Sequence, residues 1–292
     1  MMTDQGTNNS DNPRVVHQPH QMQQLVLQLQ RAGKRVGLVP TMGALHEGHL
    51  SLVRRSVEQC DATVVTIFVN PTQFGPQEDF ARYPRTFASD LQKLAAESAD
   101  FVFTPADELM YPEEFSTFVD PPSVGDRLEG TCRPGHFRGV TTIVMKLFQI
   151  VPADVAFFGQ KDYQQCLVIQ HMVRDLNVPI NIEICPTVRE SDGLAMSSRN
   201  QYLSADQRKQ GLALSRSLDH AVEMFQQDET DSNVVRSQMR QILSDAGITH
   251  VDYVALVDPH TLRDVETVGT GTMALIAAHV GKTRLIDNRR IG

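Results

Sequence analysis

His46 and His49 stand three residues apart in Val39-Pro40-Thr41-Met42-Gly43-Ala44-Leu45-His46-Glu47-Gly48-His49, directly after the apolar run Val36 to Val39. The run predicts a buried strand, and the glycine-bearing loop behind it opens into a helical pattern. A strand, a tight loop and a helix start make a phosphate site, because first-turn amides lack intrahelical partners and point outward. The spacing puts both imidazoles on one face of that start. Far downstream, Met196-Ser197-Ser198-Arg199-Asn200 adds two hydroxyls and a guanidinium, all donors to phosphate oxygens. Together the segments point to ATP chemistry. The helix metalloprotease pattern needs H-E-x-x-H, and H-E-G-H does not supply it. Lys161 follows a Phe-Phe-Gly-Gln turn at another helix start, where the dipole disfavours a cation, and that local conflict speaks for function.

These residues need a scaffold, and the chain predicts an α/β one. An amphipathic helix is expected at about 18–33, with apolar runs at Val36–Val39, Thr63–Val69, Phe101–Phe103, Val155–Phe158 and Ile180–Ile184. Helical stretches fall between them, at about 48–59, 86–98, 138–150 and 161–176. Continuous Val/Ile/Phe runs separated by helices predict a Rossmann-like parallel sheet covered on both faces. Ligands in such sheets sit beyond the carboxyl ends of the strands, so His46 to His49, Asn70 to Gln73 and Gly159 to Asp162 should converge. After Val188 the pattern changes to two helices, about 204–227 and 229–246, and strands at 250–257, 272–280 and 283–288. The expected division is a tail over 1–13, a nucleotide- and substrate-binding domain over 14–188, and a smaller C-terminal α+β lid domain over 189–292. Arg189 to Gly193 is the expected hinge.

Composition bounds the partners. A formal net charge of -8 argues against nucleic-acid binding, which needs a basic face. It also means that an anionic nucleotide must be met by a local concentration of positive groups, here His46, His49, Lys161 and Arg199. No apolar run approaches the ~18 residues of a membrane span. The first thirteen residues are polar, lack the apolar stretch of a secretory signal and predict a disordered tail. Cys60, Cys132, Cys166 and Cys185 form no C-x-x-C pair and read as reduced thiols of a cytoplasmic protein.

Five segments in order resemble the pantothenate synthetase (pantoate–β-alanine ligase) family of the HIGH-motif nucleotidyl-transferase superfamily. They are Pro40 to His49; Phe68-Val69-Asn70-Pro71-Thr72-Gln73-Phe74; Gly159-Gln160-Lys161-Asp162-Tyr163-Gln164-Gln165; Val188 to Asn200; and Thr283-Arg284-Leu285-Ile286-Asp287-Asn288. The resemblance covers about residues 14 to 292. It implies ATP-dependent joining of pantoate and β-alanine through a pantoyl adenylate, with Mg2+ and a homodimer formed through the larger domain. It also implies catalytic roles for His46, His49 and Lys161. ATP contacts are implied for Met42, Gly43, Ala44, Leu45, His46, Glu47, Gly48 and His49. Further ATP contacts are implied for Gly159, Gln160, Lys161, Asp162, Val188, Met196, Ser197, Ser198 and Arg199. Gln73, Gln165 and the apolar wall of Met42 would hold pantoate, with Gln73 also touching β-alanine. Asp90 would offer a carboxylate to magnesium. Arg133 and Arg138, flanking a Pro-Gly turn, carry no role from the residues alone. The alternative within enzymes is a HIGH-motif nucleotidyl transferase acting on a phosphorylated acceptor. A rival from another class is a nucleotide-sensing or RNA-binding relative without catalysis.

Overall fold

The run after the first helix forms strand β2 (Val36–Thr41), in which every residue but Pro40 is buried. It belongs to a sheet with β1 (Arg14–Val16), β3 (Ala62–Ile67), β4 (Phe101–Phe103), β5 (Val155–Gly159) and β6 (Asn181–Cys185). In the computed structural model, which describes residues 12–76 and 78–292, the strand order is β1-β4-β3-β2-β5-β6 and the paired strands are parallel. Helices cover both faces, as the continuous apolar runs require. Leu38, Val64 and Phe158 pack with α1 (Pro19–Arg31), α6 (His136–Ile150) and α7 (Tyr163–Asp175). Their neighbours Val39, Val65 and Phe157 point the other way, onto α2 (Glu47–Gln59) and α3 (Phe87–Ala96). Single turns α4 (Asp107–Met110) and α5 (Glu129–Cys132) bridge the long connection between β4 and α6.

The expected strands and helices are present within a few residues of their predicted bounds. β1 is an addition to them: its three residues carry no periodicity, and it is recognisable only through its pairing with β4. Of the expected tail, residues 1–11 lie outside the described residues; Pro13, its last residue, is buried.

The order reverses between β2 and β5, where a ligand crevice is expected. The β2–β5 ladder pairs only Gly37 and Leu38 with Val155 and Ala156. Beyond it Pro40 brings no N–H to the gap. The strands separate there, and the loops after both open into the same space.

Helices α8 (Ala205–Gln226) and α9 (Ser232–Asp245) and an antiparallel sheet β7-β8-β9 (His250–Val257, Met273–Val280, Thr283–Arg290) make up the C-terminal part. Ser204 and Gln207 cap α8 reciprocally. Val254, Leu256, Ala274 and Ile276 pack on α8 and α9, whereas the alternate residues Ala255, Val257, Met273 and Leu275 join the core of the parallel sheet. Period-two patterning thus gives this small sheet two apolar faces. The expected hinge is a tight turn: Arg189 bridges to Ala195 and makes a bidentate pair with Asp287 at 2.7 and 2.9 Å, while Arg208 holds Glu190 and Asp192.

One close approach matters for the site. Gly139 of α6 lies against the turn Pro71–Gln73, and a Cβ there would come within 2.6 Å of the Gln73 amide nitrogen. Gly139→Ala should therefore destabilise the fold by about 1–3 kcal/mol, the usual cost of overpacking. It should also displace Gln73. Thermal unfolding checks the first effect and substrate titration the second; an unchanged melting temperature would refute the close-contact argument.

Candidate active site

The loop after β2 takes a conformation that few residues adopt. Gly43 has φ +80° and Ala44 φ +50°, and left-handed backbone at an alanine is strained. Three side chains hold it. Thr41 Oγ1 accepts from the Gly43 amide at 3.2 Å, and Asp90 accepts from the Ala44 and Leu45 amides at 3.0 and 2.8 Å. Ser198 Oγ, from the distant Ser-Ser-Arg segment, donates to the Ala44 carbonyl at 3.2 Å. The loop delivers His46 to the N-cap of α2 and His49 to its first turn.

The two rings lie with centroids 4.0 Å apart, tilted by 35°. His49 Nδ1 faces the His46 backbone N–H at 3.3 Å, which makes that nitrogen an acceptor and leaves the proton on Nε2. His46 Nδ1 is buried without a partner. Gly48 has no side chain because a Cβ there would lie 3.0 Å from the His46 ring. Burial, then the Lys161 ammonium, pushes His46 down to about 4. Burial, then the neighbouring His46 and Lys161, holds His49 well below its ordinary value. Both imidazoles are therefore neutral at pH 7, and each still carries one N–H.

A cavity of about 220 Å³ collects Met42, His46, Gly48 and His49 from the first segment and Gln73 from the second. It also takes Gly159, Lys161, Asp162 and Gln165 after β5, and Val188, Met196, Ser197, Ser198 and Arg199 from the fourth. The carboxyl ends of β2, β3 and β5 thus do converge. Gly43, Ala44, Leu45 and Gln160, expected among the nucleotide contacts, are not part of this lining, and Leu45 is buried. Glu47 points outward and pairs with Arg54. Val188 and Met196 are joined by a backbone hydrogen bond of 3.0 Å, so they enter the wall together. Gln73 Nε2 contacts Met42 Sδ at 3.3 Å, bringing an amide and an apolar side chain to one spot.

Several residues that set this geometry were not read from the sequence. Buried Asn70 donates to Gln73 Oε1 at 3.0 Å and to the Gly139 carbonyl at 3.2 Å. His136 Nε2 lies 3.1 Å from Arg133 Nη1, which can only donate, so its Nδ1–H donates to the Gln73 carbonyl at 2.9 Å. Arg133 is itself clamped by Glu78 at two points of 2.7 Å, which gives the unassigned arginine a structural role; Arg138 pairs with exposed Asp120. Asn288 of β9 donates to the Gln160 and Lys161 carbonyls at 3.0 and 2.8 Å, fixing the turn that presents Lys161. Polar residues two to five positions from a motif were the available signal, and only Asn70 and Asn288 lay inside a segment already singled out.

Asp90 departs from its expected role. It is fully buried, and both oxygens are taken by the Ala44 and Leu45 amides and the Thr86 hydroxyl. Such a carboxylate braces a loop and has no face for a metal ion. Asp79 is bound by Arg199 at 2.9 and 2.7 Å, and Asp162 lies 3.6 Å from the Lys161 ammonium. Among the described residues, Asp79 and Asp162 beside this cavity thus each face a cationic side chain.

The fold and this cavity define a Rossmann-like nucleotide-binding ligase of the HIGH-motif type. The chain belongs to the pantoate-beta-alanine ligase family, whose sequence model matches residues 14–290. It is 50% identical over 275 residues to pantothenate synthetase of Sulfurihydrogenibium sp., covering 94% of this chain and 98% of that one. It is also similar to the pantothenate synthetase of Thermus thermophilus, with a TM-score of 0.90, 41% identity and coverage of 95% and 99% of the two chains. The pantoate-beta-alanine ligase of Francisella tularensis, solved in complex with beta-gamma ATP and beta-alanine, aligns with a TM-score of 0.77 at 31% identity, covering 95% of this chain and 97% of that one.

Replacing Asp90 with Asn should leave one of two buried amides poorly paired, costing about 1–3 kcal/mol. Activity should fall while its dependence on magnesium concentration keeps the same midpoint; a shifted midpoint would restore the metal-ligand role. The neutral histidines give a second expectation. His46 and His136, the latter buried beside Arg133, both sit at about 4 against 6.5 in an unfolded chain. Between those values the unfolded chain binds more protons, so stability falls as pH drops from about 6.5 toward 4. Melting temperatures across that window should show the decline, and His136→Gln should make it shallower. An identical slope in that variant would contradict the assignment.

Proposed function

We propose that this chain joins (R)-pantoate to β-alanine with conversion of ATP to AMP and pyrophosphate, through an enzyme-bound pantoyl adenylate. The observation that carries the reading is one cavity holding both halves of the required recognition. His46, His49, Lys161 and Arg199 supply donors and positive charge for a triphosphate, and Gln73, Met42 and Gln165 offer amides beside an apolar wall.

The pantoate carboxylate attacks the α-phosphorus, and the bond to the bridging oxygen breaks, releasing pyrophosphate. The β-alanine amine then attacks the acyl carbon; the acyl–oxygen bond breaks, AMP leaves, and the amine sheds a proton. Activation is required because a carboxylate is a poor acyl donor and AMP a good leaving group. No side-chain nucleophile is needed, and the protein acts by positioning and charge stabilisation. His49 Nε2–H, His46 and the Lys161 ammonium are assigned to the charge developing at the α-phosphate. Ser197, Ser198 and Arg199 are assigned to the outer phosphates. The loop 42–48, the turn 159–162, Val188 and Met196 are assigned to the nucleotide. Gln73 and Gln165 are assigned to the pantoate hydroxyls and carboxylate, Gln73 reaching β-alanine as well, and the Met42 side chain to the geminal methyl groups.

Magnesium belongs, on this reading, to phosphate oxygens and water, its usual partners in nucleotide sites. We assign residues 14–188 and 189–292 to two domains, place the enzyme in the cytoplasm and take it to be a homodimer formed through the larger domain. The four cysteines, unpaired in the structure, support the compartment, and sedimentation of the purified chain reads the dimer. No helix among the described residues is long and apolar enough to cross a membrane.

Pyrophosphate should appear from ATP, pantoate and magnesium without β-alanine, in about one turnover per site. His49→Ala and Lys161→Ala should each slow that step on the order of 10²–10³-fold, the usual loss for one transition-state donor. Turnover with a phosphorylated acceptor and none with pantoate would point to the nucleotidyl transferase instead.

A further inference from the structure

Away from the phosphate-binding loops, the antiparallel sheet carries a polar row that the ligase reaction does not use. His250 of β7, His279 of β8 and Arg284 of β9 are consecutive cross-strand partners. The two imidazoles lie face to face, with centroids 4.0 Å apart and an interplanar angle of 4°. The β7–β8 register shifts between Val251 and Tyr253, so Asp252 is the extra residue of a bulge, a feature that re-aims a side chain. Its carboxylate turns to the two rings: Oδ1 lies 3.4 Å from His250 Nε2 and 3.6 Å from His279 Nε2.

Those separations are informative. They exceed the roughly 2.7–2.9 Å of a charge-assisted hydrogen bond. They match the distance of roughly 3.3 Å between neighbouring ligand atoms around a tetrahedral ion with bonds of about 2.0–2.1 Å. Of all groups of three or more His, Cys, Asp or Glu among the described residues, this is the one whose ligand atoms lie within 4.8 Å of one another. The outer support is also built. Asp252 Oδ2 accepts from Arg284 Nε at 2.6 Å, and Arg284 is clamped by Glu129 at two points of 2.7 Å. Tyr253 donates to the same Glu129 at 2.6 Å. Asp252 is therefore fixed, at 12% side-chain exposure, with one oxygen committed and the other left for a ligand. His250, at 67% exposure, is free to rotate its ring and bring both Nε2 atoms to one point.

We propose that His250, Asp252 and His279 form a binding site for a divalent transition-metal ion of the zinc class. Two imidazoles and one carboxylate suit zinc, cobalt or nickel; magnesium and calcium prefer all-oxygen shells. Three protein ligands leave at least one coordination position open, and all three line the larger cavity of about 1050 Å³, whose wall also carries Lys161, Asp162 and Arg199. Water or a small carboxylate fits that position.

The test is titration of the full chain with zinc chloride in a calorimeter and with cobalt chloride in a spectrometer, without nucleotide. One ion per chain is expected, with the visible bands of tetrahedral cobalt and no thiolate charge-transfer band. His250→Ala and His279→Ala should each weaken binding by more than the roughly 10–100-fold that loss of an outer-shell partner costs. His250 is exposed, so its variant keeps the fold and remains decisive if His279→Ala does not. No binding, unchanged affinity in His250→Ala, or a thiolate band showing cysteine ligation would each overturn the proposal. Displacement of the ion by excess magnesium would overturn the assigned metal class.

Discussion

A single buried carboxylate sets the geometry on which the site depends. Asp90 sits at zero exposure in α3 and accepts two successive amides of a loop that includes a left-handed alanine. An unpaired charge at that depth would be costly, and strained backbone at Ala44 costs of order 1–3 kcal/mol. Each liability is offset by the other: the carboxylate needs donors, and the loop needs something to hold it. Because α3 is anchored through Leu94 in the core between helices and sheet, the position of the histidine pair is referred to the core of the domain.

The same economy governs the positive groups. In a chain of net charge -8, Arg199 is engaged by Asp79, Arg133 by Glu78 and Arg284 by Glu129. Arg199 and Arg133 both line the smaller cavity, each already held by a carboxylate. Lys161 is left less encumbered, with Asp162 at 3.6 Å as its ion-pair neighbour. Against the opposing effect of burial, the pairing with Arg199 lowers Asp79 below the usual carboxylate range. Any anion that takes either guanidinium must displace a carboxylate that already holds it.

The parallel sheet was legible because its strands are buried on both faces and read as unbroken apolar runs. The convergence of three loops followed from their places after β2, β3 and β5 alone. Residue types also named the candidate donors: histidine, lysine, serine and arginine declare their chemistry. What the sequence hid was support. Asp90 looks the same whether it faces a cation or two amides, because only burial separates the roles. His136 and Asn70 hold Gln73 through contacts of 63 and 3 residues' separation, and the longer one leaves no local pattern. The bulge at Asp252 is invisible for a related reason: an extra residue in a strand appears only when its partner is known.

The C-terminal strands decide how far the larger cavity can change shape. Ala255, Val257, Met273 and Leu275 pack into the core of the parallel sheet, and Asn288 pins the turn bearing Lys161. Swinging the small sheet away as a unit would expose these apolar side chains, the larger of them worth about 1.5–3 kcal/mol each, and break the Arg189–Asp287 and Arg284–Glu129 pairs. The segments around Asp79 and Arg199 are joined by that part-buried pair and by Tyr202, which donates to the Arg82 carbonyl at 3.0 Å, while Phe74 packs on Phe80 and on buried Tyr83 in the first of them. A swing of the whole C-terminal part is therefore energetically costly, because it breaks apolar packing and buried ion pairs together.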